Sequence, residues 1–302
     1  MHFDRVEWRV LPDPATAAAA LQAGEVDWWE FPMPDLRPLL RRQPAIAVEN
    51  PDPFGFMGAL RLNHLQPPFD DPAARRALLP AIPQSDFMTA AAGTAPDAWR
   101  DGVGFFPPGT PMASTTGLEA LAGPRSVPEA RARLTAAGHA GARATLIGPT
   151  DYPNVQALTE VGADLFRRLG LALDYSPTDW ASVVQRRMNR DAPARGGWNA
   201  LFTFFSGLDF LAPGVHLLLR ANGTVAWPGW PSSERIEALR AEWLAATDPA
   251  IARRLAAEIQ AQAFRDLPYI PLGQFFQPTA YRRAITGILK GPTVFWNVRP
   301  AL

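Results

Sequence analysis

Apolar residues recur along this chain at the two-residue spacing of strands and then at the three-to-four-residue spacing of helices, alternating from end to end. Val6 to Leu11 reads as a strand. Asp13 caps a helix opened by Pro14 and stopped near Gly24, because proline suits the first helical position and glycine the left-handed stop. Val26 to Phe31 is the next expected strand, Leu36 to Arg41 a short helix, and Ile46 to Glu49 and Phe56 to Asn63 strands parted by the turn-forming PDPFG. QPPFDDP interrupts this pattern. Asp71 and Pro72 then begin a helix with Leu78 and Ile82 on one face. The Gly-, Pro- and Thr-rich stretch from 93 to 123 has no period and reads as a long surface loop.

Order returns at Ser126, which with Glu129 forms a capping box over a helix that stops at Gly138. A β-α-β unit follows: strand Ala144 to Ile147, helix Pro153 to Leu169 with Leu158, Val161, Leu165 and Leu169 in a stripe, and a parallel return at Leu171 to Tyr175. Asp179 caps a short helix bearing Val183, Val184 and Met188. Trp198 to Phe205 is too continuously apolar for a half-exposed strand and should be central and covered on both faces. Trp198, Phe202 and Phe204 would share one of those faces. Two last helices, Ser233 to Ala245 and Pro249 to Phe264, carry Ile236, Leu239 and Trp243, then Ile251, Leu255, Ile259 and Ala263, at helical spacing. The whole is a layered α/β pattern.

Composition narrows the function classes. The 302 residues, 47% of them hydrophobic, allow one large or two ordinary domains. The 29 basic and 29 acidic residues cancel, and the arginine pairs are scattered along the chain, so no nucleic-acid partner is expected. No apolar run reaches the roughly 18 to 20 residues that span a bilayer. With no cysteine there is no thiol nucleophile, disulfide or Cys-ligated metal. The histidines (His2, His64, His139 and His216) are far apart in sequence, and no HExxH helix, GxSxG elbow or phosphate-cradling GxxxxGK occurs. No catalytic residue, cofactor or metal is therefore expected.

Five landmarks in order carry a family resemblance: the opening VEWRVLPDPATAAAALQAGEVDWWEF, LRLNHLQPPFDDPAARRALLPAI, FPPGTPM, the GWN strand, and PYIPLGQFF with the Trp-containing tail. Together they resemble the extracytoplasmic solute-binding proteins of family 5, which serve peptide- and nickel-type ABC importers. The resemblance implies a type II periplasmic-binding-protein-like fold with one lobe nearly complete and a remnant of the other. Residues 1 to 64 would belong to lobe I, 65 to 271 to lobe II, and 272 to 302 return to lobe I. Chain crossings near Asn63 to Pro68 and Leu272 to Pro278 would act as the hinge, with Asn63, His64, Gln274 and Gln277 in it. One departure is Ala81-Ile82-Pro83, where the family usually carries A-I-D.

The implied function is capture of a peptide or similar small solute and its delivery to the permease of an ABC importer, outside the cytoplasmic membrane. The start of the chain shows no basic, apolar export signal, so the reading is of a C-terminal portion. Alone, such a portion is expected to bind weakly and to self-associate through exposed strand edges. The alternative is the ligand-sensing domain of a transcription regulator whose N-terminal DNA-binding domain would be missing here. A peptide cleft needs an anion for the amine, a cation for the carboxylate and apolar walls. Asp209, in a position resembling the family's amine-binding aspartate, is the expected anion; Arg187 and Arg190 are the expected cations. Phe204, Phe205 and Trp230, with Phe56, are the expected walls, since strand ends rather than strand middles meet a cleft in open α/β sheets.

Overall fold

A computed structural model describes residues 2–301. In chain order it contains α1 Pro14–Ala23, β1 Trp28–Trp29, α2 Arg37–Arg41, β2 Ile46–Glu49, β3 Phe56–Leu62, α3 Pro72–Ala77, α4 Gln84–Ala92, β4 Trp99–Arg100, α5 Val127–Ala136 and β5 Arg143–Pro149. It continues through α6 Pro153–Arg168, β6 Ala172–Thr178, α7 Trp180–Arg186, β7 Ala200–Ser206, α8 Glu234–Ala245, α9 Pro249–Asp266, β8 Ile270–Phe275, β9 Thr279–Arg282, β10 Ile285–Thr286 and β11 Arg299–Pro300.

The helix starts follow from their caps. Asp13 accepts from the Thr16 N–H at 2.6 Å, Asp71 from Ala73 at 2.7 Å and Asp248 from Ala250 at 2.6 Å, with proline first in each of the three helices. Ser126 likewise accepts from Glu129 N, but the Glu129 carboxylate turns to Arg133 at 2.6 Å, so the reciprocal half of the expected box is not made. Pro83 ends the preceding 3-10 turn and stands at the N-cap of α4, a helix the sequence pattern had not marked.

The chain forms two compact units, residues 1–55 with 276–302, and residues 56–275. The divisions expected after residues 64 and 271 thus fall inside the second unit, where residues 56–62 and 270–275 are paired strands. In unit one, β1 and β2 flank β9 in an antiparallel sheet over Ala18, Leu21, Leu40, Ile46 and Ala280. Val6 to Leu11, expected as a strand, joins no ladder, and Val6, Trp8 and Val10 are 46%, 68% and 89% exposed. Alternation alone does not make a strand without an edge to pair with.

Unit two is built on a six-stranded sheet of order β4-β8-β3-β7-β5-β6. β7 is central, antiparallel to β3 and parallel to β5, and β5 pairs parallel to β6, as the β-α-β reading required. One face packs Leu60, Leu62, Phe202 and Leu272 against α3 to α6 through Phe87, Leu134, Leu158 and Phe166. The other packs Met57 and Ala59 against α8 and α9 through Ile236, Leu239, Leu255 and Ile259. Three layers result.

Several local expectations change. Val103, Phe105 and Phe106, in the presumed surface loop, are at most 2% exposed and belong to the second core. Ile251 is 43% exposed, and the buried stripe of α9 begins at Ala252 and runs on through the expected Leu255, Ile259 and Ala263; Met188 lies beyond the end of α7 and is 60% exposed. Trp198 precedes β7 and packs with Ile147, Val183, Leu201 and Trp230, on the face opposite Phe202. The ladder begins at Ala200, so its period-two parity does not reach back to residue 198.

Candidate functional site

The sheet of unit two brings one end of five strands to a common rim. β5, β6, β7 and β8 finish there and β3, antiparallel to β7, begins there. This is the end at which open α/β sheets present ligand sites. Register decides which side chains meet. Phe56 stands opposite Phe275 on β8 and Ser206 on β7, so Phe56, Phe204 and Phe275 share a face, with Phe204 and Phe275 each within 5.5 Å of Phe56 ring to ring. Phe205, opposite Met57, points to the other face and meets Trp227 edge-on at 5.8 Å.

The aromatic surface continues along the rim. Tyr152, in the turn after β5, meets Phe204 at 5.5 Å and Trp180 at 5.2 Å, both edge-on. Trp180 follows β6 and opens α7; its N–H donates to Asp151 Oδ1 at 2.7 Å, which ties the two turns together. Phe56, Tyr152, Trp180, Phe204, Phe205 and Trp227 are all half-buried, whereas Phe275 is fully buried beneath them.

Arg187, at the C-cap of α7, closes the line. Its guanidinium lies 5.0 Å from the centre of the Trp227 ring and 5.9 Å from that of Trp180. The Trp198 indole N–H donates to the Arg187 carbonyl at 3.0 Å and so fixes the backbone there. Burial alone lowers the pKa of Arg187 from its ordinary value.

The other expected residues fall elsewhere. Asp209 lies in the 3-10 turn Gly207–Phe210, exposed, with its carboxyl raised above the usual range by partial desolvation. Trp230 is 2% exposed and stacks obliquely on Trp198 at 5.9 Å, with Arg190 at 5.4 Å over its ring; Arg190 also donates to Thr224 O at 2.7 Å. Trp230 therefore has a core environment, and Trp227, three residues earlier, is the tryptophan at the rim. Asn63 is fully buried, donating to Trp198 O at 2.8 Å and accepting from Leu65 N at 2.9 Å, while His64 N–H donates to Gly229 O at 2.8 Å. Those partners all lie in unit two. Gln274 is buried in β8 and Gln277 follows in unit one.

Tyr152 and Trp180 were missed. Their signal was the turn after each parallel strand, DYP after β5 and TDW after β6, which places a residue at the rim whatever the strand contains. A cavity of about 490 Å³ also occurs in unit one, lined by Trp8, Trp28, Trp29 and Phe295 among others. None of the expected site residues lines it, and it lacks the strand-end setting, so the rim of unit two is the better candidate. Among the described residues no cluster of three His, Asp or Glu could hold a metal ion, and no helix is long and apolar enough to cross a membrane.

Comparison with known proteins gives this fold and site a context. Residues 1–211 match the family model described as bacterial extracellular solute-binding proteins, family 5 Middle. A probable peptide ABC transporter periplasmic-binding protein of Sinorhizobium fredii is 34% identical over 311 aligned residues, covering 100% of this chain and 57% of the relative. The glutathione-binding protein GsiB of Escherichia coli K12 is 25% identical over 94% of this chain and 55% of its own length. The chain thus spans little more than half the length of these relatives. Among solved structures, a dipeptide-binding protein of Pseudoalteromonas in complex with Met-Leu superposes with a TM-score of 0.79 at 20% identity, over 97% of this chain and 57% of that one. DppA of Helicobacter pylori, in complex with a peptide, gives 0.78 at 19% identity, over 97% and 56%. At such identities the structures establish the periplasmic-binding-protein fold. None of these supports the alternative of a regulator's sensing domain.

Proposed function

This chain belongs to the family 5 bacterial extracellular solute-binding proteins, and from that premise we propose that it captures a peptide or a similar small solute at the strand-end rim of unit two for delivery to the permease of an ABC importer. The observation that carries this reading is the half-buried aromatic line Phe56, Phe204, Tyr152 and Trp180, continued by Trp227 and Phe205 on the far side of Arg187. Flat apolar walls favour amphiphilic solutes because burying them releases water without demanding a partner for each polar atom. The work of such a site is binding, with no bond made or broken. The chemistry of transport would fall to the importer's ATPase, and the place of action would be outside the cytoplasmic membrane.

The amine of a peptide would be met by Asp209 and its carboxylate by Arg187 or Arg190, with closure by rotation about the two chain crossings. Support for this finer assignment is the chemistry of the side chains and their place on unit two.

The test is nuclear magnetic resonance of the labelled 302-residue chain titrated with a panel of di- and tripeptides. Perturbed indole and amide signals should concentrate at Tyr152, Trp180, Phe204, Phe205 and Trp227, even if binding is in the millimolar range, about −4 kcal/mol. Signals that stay fixed at the rim up to about 10 mM peptide, or that move only in unit one, would overturn the reading.

A further inference from the structure

Four arginines crowd the end of α7 and the loop behind it, and three of them are engaged. Arg186 donates to Gly196 O at 3.0 Å, to Gly197 O at 3.0 Å and to Ser176 Oγ at 2.6 Å. Arg190 donates to Thr224 O, and Arg195 pairs with Asp191 at 3.4 Å. Arg187 differs. Among the described residues its guanidinium has no carboxylate within ion-pair distance and no hydrogen bond, and its Nε is buried without a partner. The two Nη groups complete a fork whose central carbon lies 5.9 Å from the ring centre of Trp180 and 5.0 Å from that of Trp227.

Two carboxylates in the turns of this rim are already committed. Asp179 accepts from the Ser182 N–H at 2.9 Å and from its hydroxyl at 2.6 Å, capping α7, and Asp151 accepts from Trp180 N. A half-desolvated cation whose charge is answered only by two π faces retains unmet demand for an anion. Guanidinium offers two parallel N–H donors in one plane, which match the two oxygens of a carboxylate. On either side of the fork the surface is aromatic, Trp180 leading to Tyr152 and Phe204, Trp227 leading to Phe205.

We propose that Arg187, set between Trp180 and Trp227, is the anion-recognition point of unit two and takes the carboxylate of a solute whose adjoining part is flat and apolar. This rests on reading the strand-end rim as the solute-binding face. It goes further in choosing one cation among the arginines and in ranking ligands: free acids above amides, and aromatic or acyl-capped acids above small polar ones. Trp180 and Trp227 act as positioning residues that hold the fork in its plane.

The experiment is calorimetric titration of the 302-residue chain with N-benzoylglycine and, in parallel, with N-benzoylglycinamide, which differs only in its missing charge. The acid should bind at least about tenfold more tightly than the amide. Arg187→Gln should remove that preference, and Arg187→Lys should keep only part of it because an ammonium cannot grip both oxygens in one plane. The Arg187 Nε–H resonance should shift with the acid and not with the amide, a readout that needs no variant. Equal affinity for acid and amide, a preference that survives Arg187→Gln, or competition by inorganic phosphate as strong as by N-benzoylglycine would each overturn the assignment. Peptides that move the rim signals equally in wild type and Arg187→Gln would sink this inference while leaving solute capture standing. Acid binding at Arg187 without any peptide response would uphold the inference and the rim as the binding face while striking peptides from the proposed solutes.

Discussion

The buried guanidinium of Arg61 is fastened to the backbone of the rim residue Trp227: Nη2 donates to the Trp227 carbonyl at 2.7 Å, and the charge sits 5.3 Å from the centre of its ring. The same group donates to Pro228 O at 2.7 Å, Leu218 O at 2.8 Å and Pro268 O at 2.7 Å. Arg61 is 0% exposed, and burial lowers its pKa to about 9. No carboxylate neutralises it among the described residues; four carbonyl dipoles do that work. A central strand thereby holds the loop that presents Trp227. Arg61→Met should cost about 3 to 5 kcal/mol, since it leaves four carbonyls without their donor. Urea unfolding measures the loss, and faster amide exchange over residues 218–229 would show that the loop, rather than the sheet alone, has loosened.

Gly162 tests the packing between α6 and the sheet. A methyl group there would overlap the ring of Phe202, which stacks with Phe87 at 5.5 Å and leans on Phe166 at 6.3 Å. In an open helix, replacing glycine by alanine gains up to about 1 kcal/mol. Here overpacking, about 1 to 3 kcal/mol, opposes it and wins. Gly162→Ala should therefore lower the thermal midpoint, and an unchanged or raised midpoint would show that Phe202 can move aside.

Gln260 on α9 ties down the loop between α4 and α5. Its Oε1 accepts from Phe105 N at 3.1 Å and its Nε2 donates to Ser114 O at 2.7 Å and Thr116 O at 2.8 Å, with the side chain fully buried. Gln260→Leu keeps the volume but strands three backbone groups, a cost of about 2 to 3 kcal/mol. Limited proteolysis should then cut near residues 107–117 at lower protease concentration than in the wild type.

His216 makes stability depend on pH. It is fully buried, with Nε2 3.0 Å from both Phe105 O and the Tyr269 hydroxyl, and desolvation lowers its pKa to about 3. His64 is lowered well below its ordinary value, first by burial and then by Arg75 and Arg61. Both are neutral in the folded state and protonate more readily once unfolded. Their contribution is complete above about pH 6.5 and is lost as pH falls below it, toward about 3 for His216, at up to about 1.4 kcal/mol per pH unit for each. The depressed carboxylates Asp13, Asp71 and Asp179 lose stability in the same direction at lower pH, so the clean window is about 6.5 to 4.5. In that window His216→Gln should show a shallower fall in unfolding free energy than the wild type; parallel slopes would mean that His216 does not stay neutral.

Local chemistry made much of this protein legible in its sequence. Asp13-Pro14, Asp71-Pro72, Ser126 and Asp179 mark helix starts because a cap involves residues only two or three positions apart. The β-α-β unit and the covered central strand follow from apolar spacing, and the ordered landmarks identify the family. At the site, Phe56, Phe204, Phe205 and Arg187 were legible as types, an aromatic run at a strand end and a cation beside it.

What only the tertiary structure decided is which of these groups are already spent on other parts of the protein. Trp227 and Trp230 look alike in the sequence, yet one is half-buried at the rim and the other is 2% exposed against Trp198. Arg186, Arg187 and Arg190 look alike in the sequence, and only their contacts with Ser176, Gly196, Thr224 and two indoles tell a satisfied charge from an unmet one. Arg61 takes its partners from residues 218, 227, 228 and 268. Caps and periods are encoded within a turn or two of the chain; burial and pairing depend on residues that the fold brings together from ten positions apart for Arg186 and Gly196 to 207 for Arg61 and Pro268, and no local pattern carries that information.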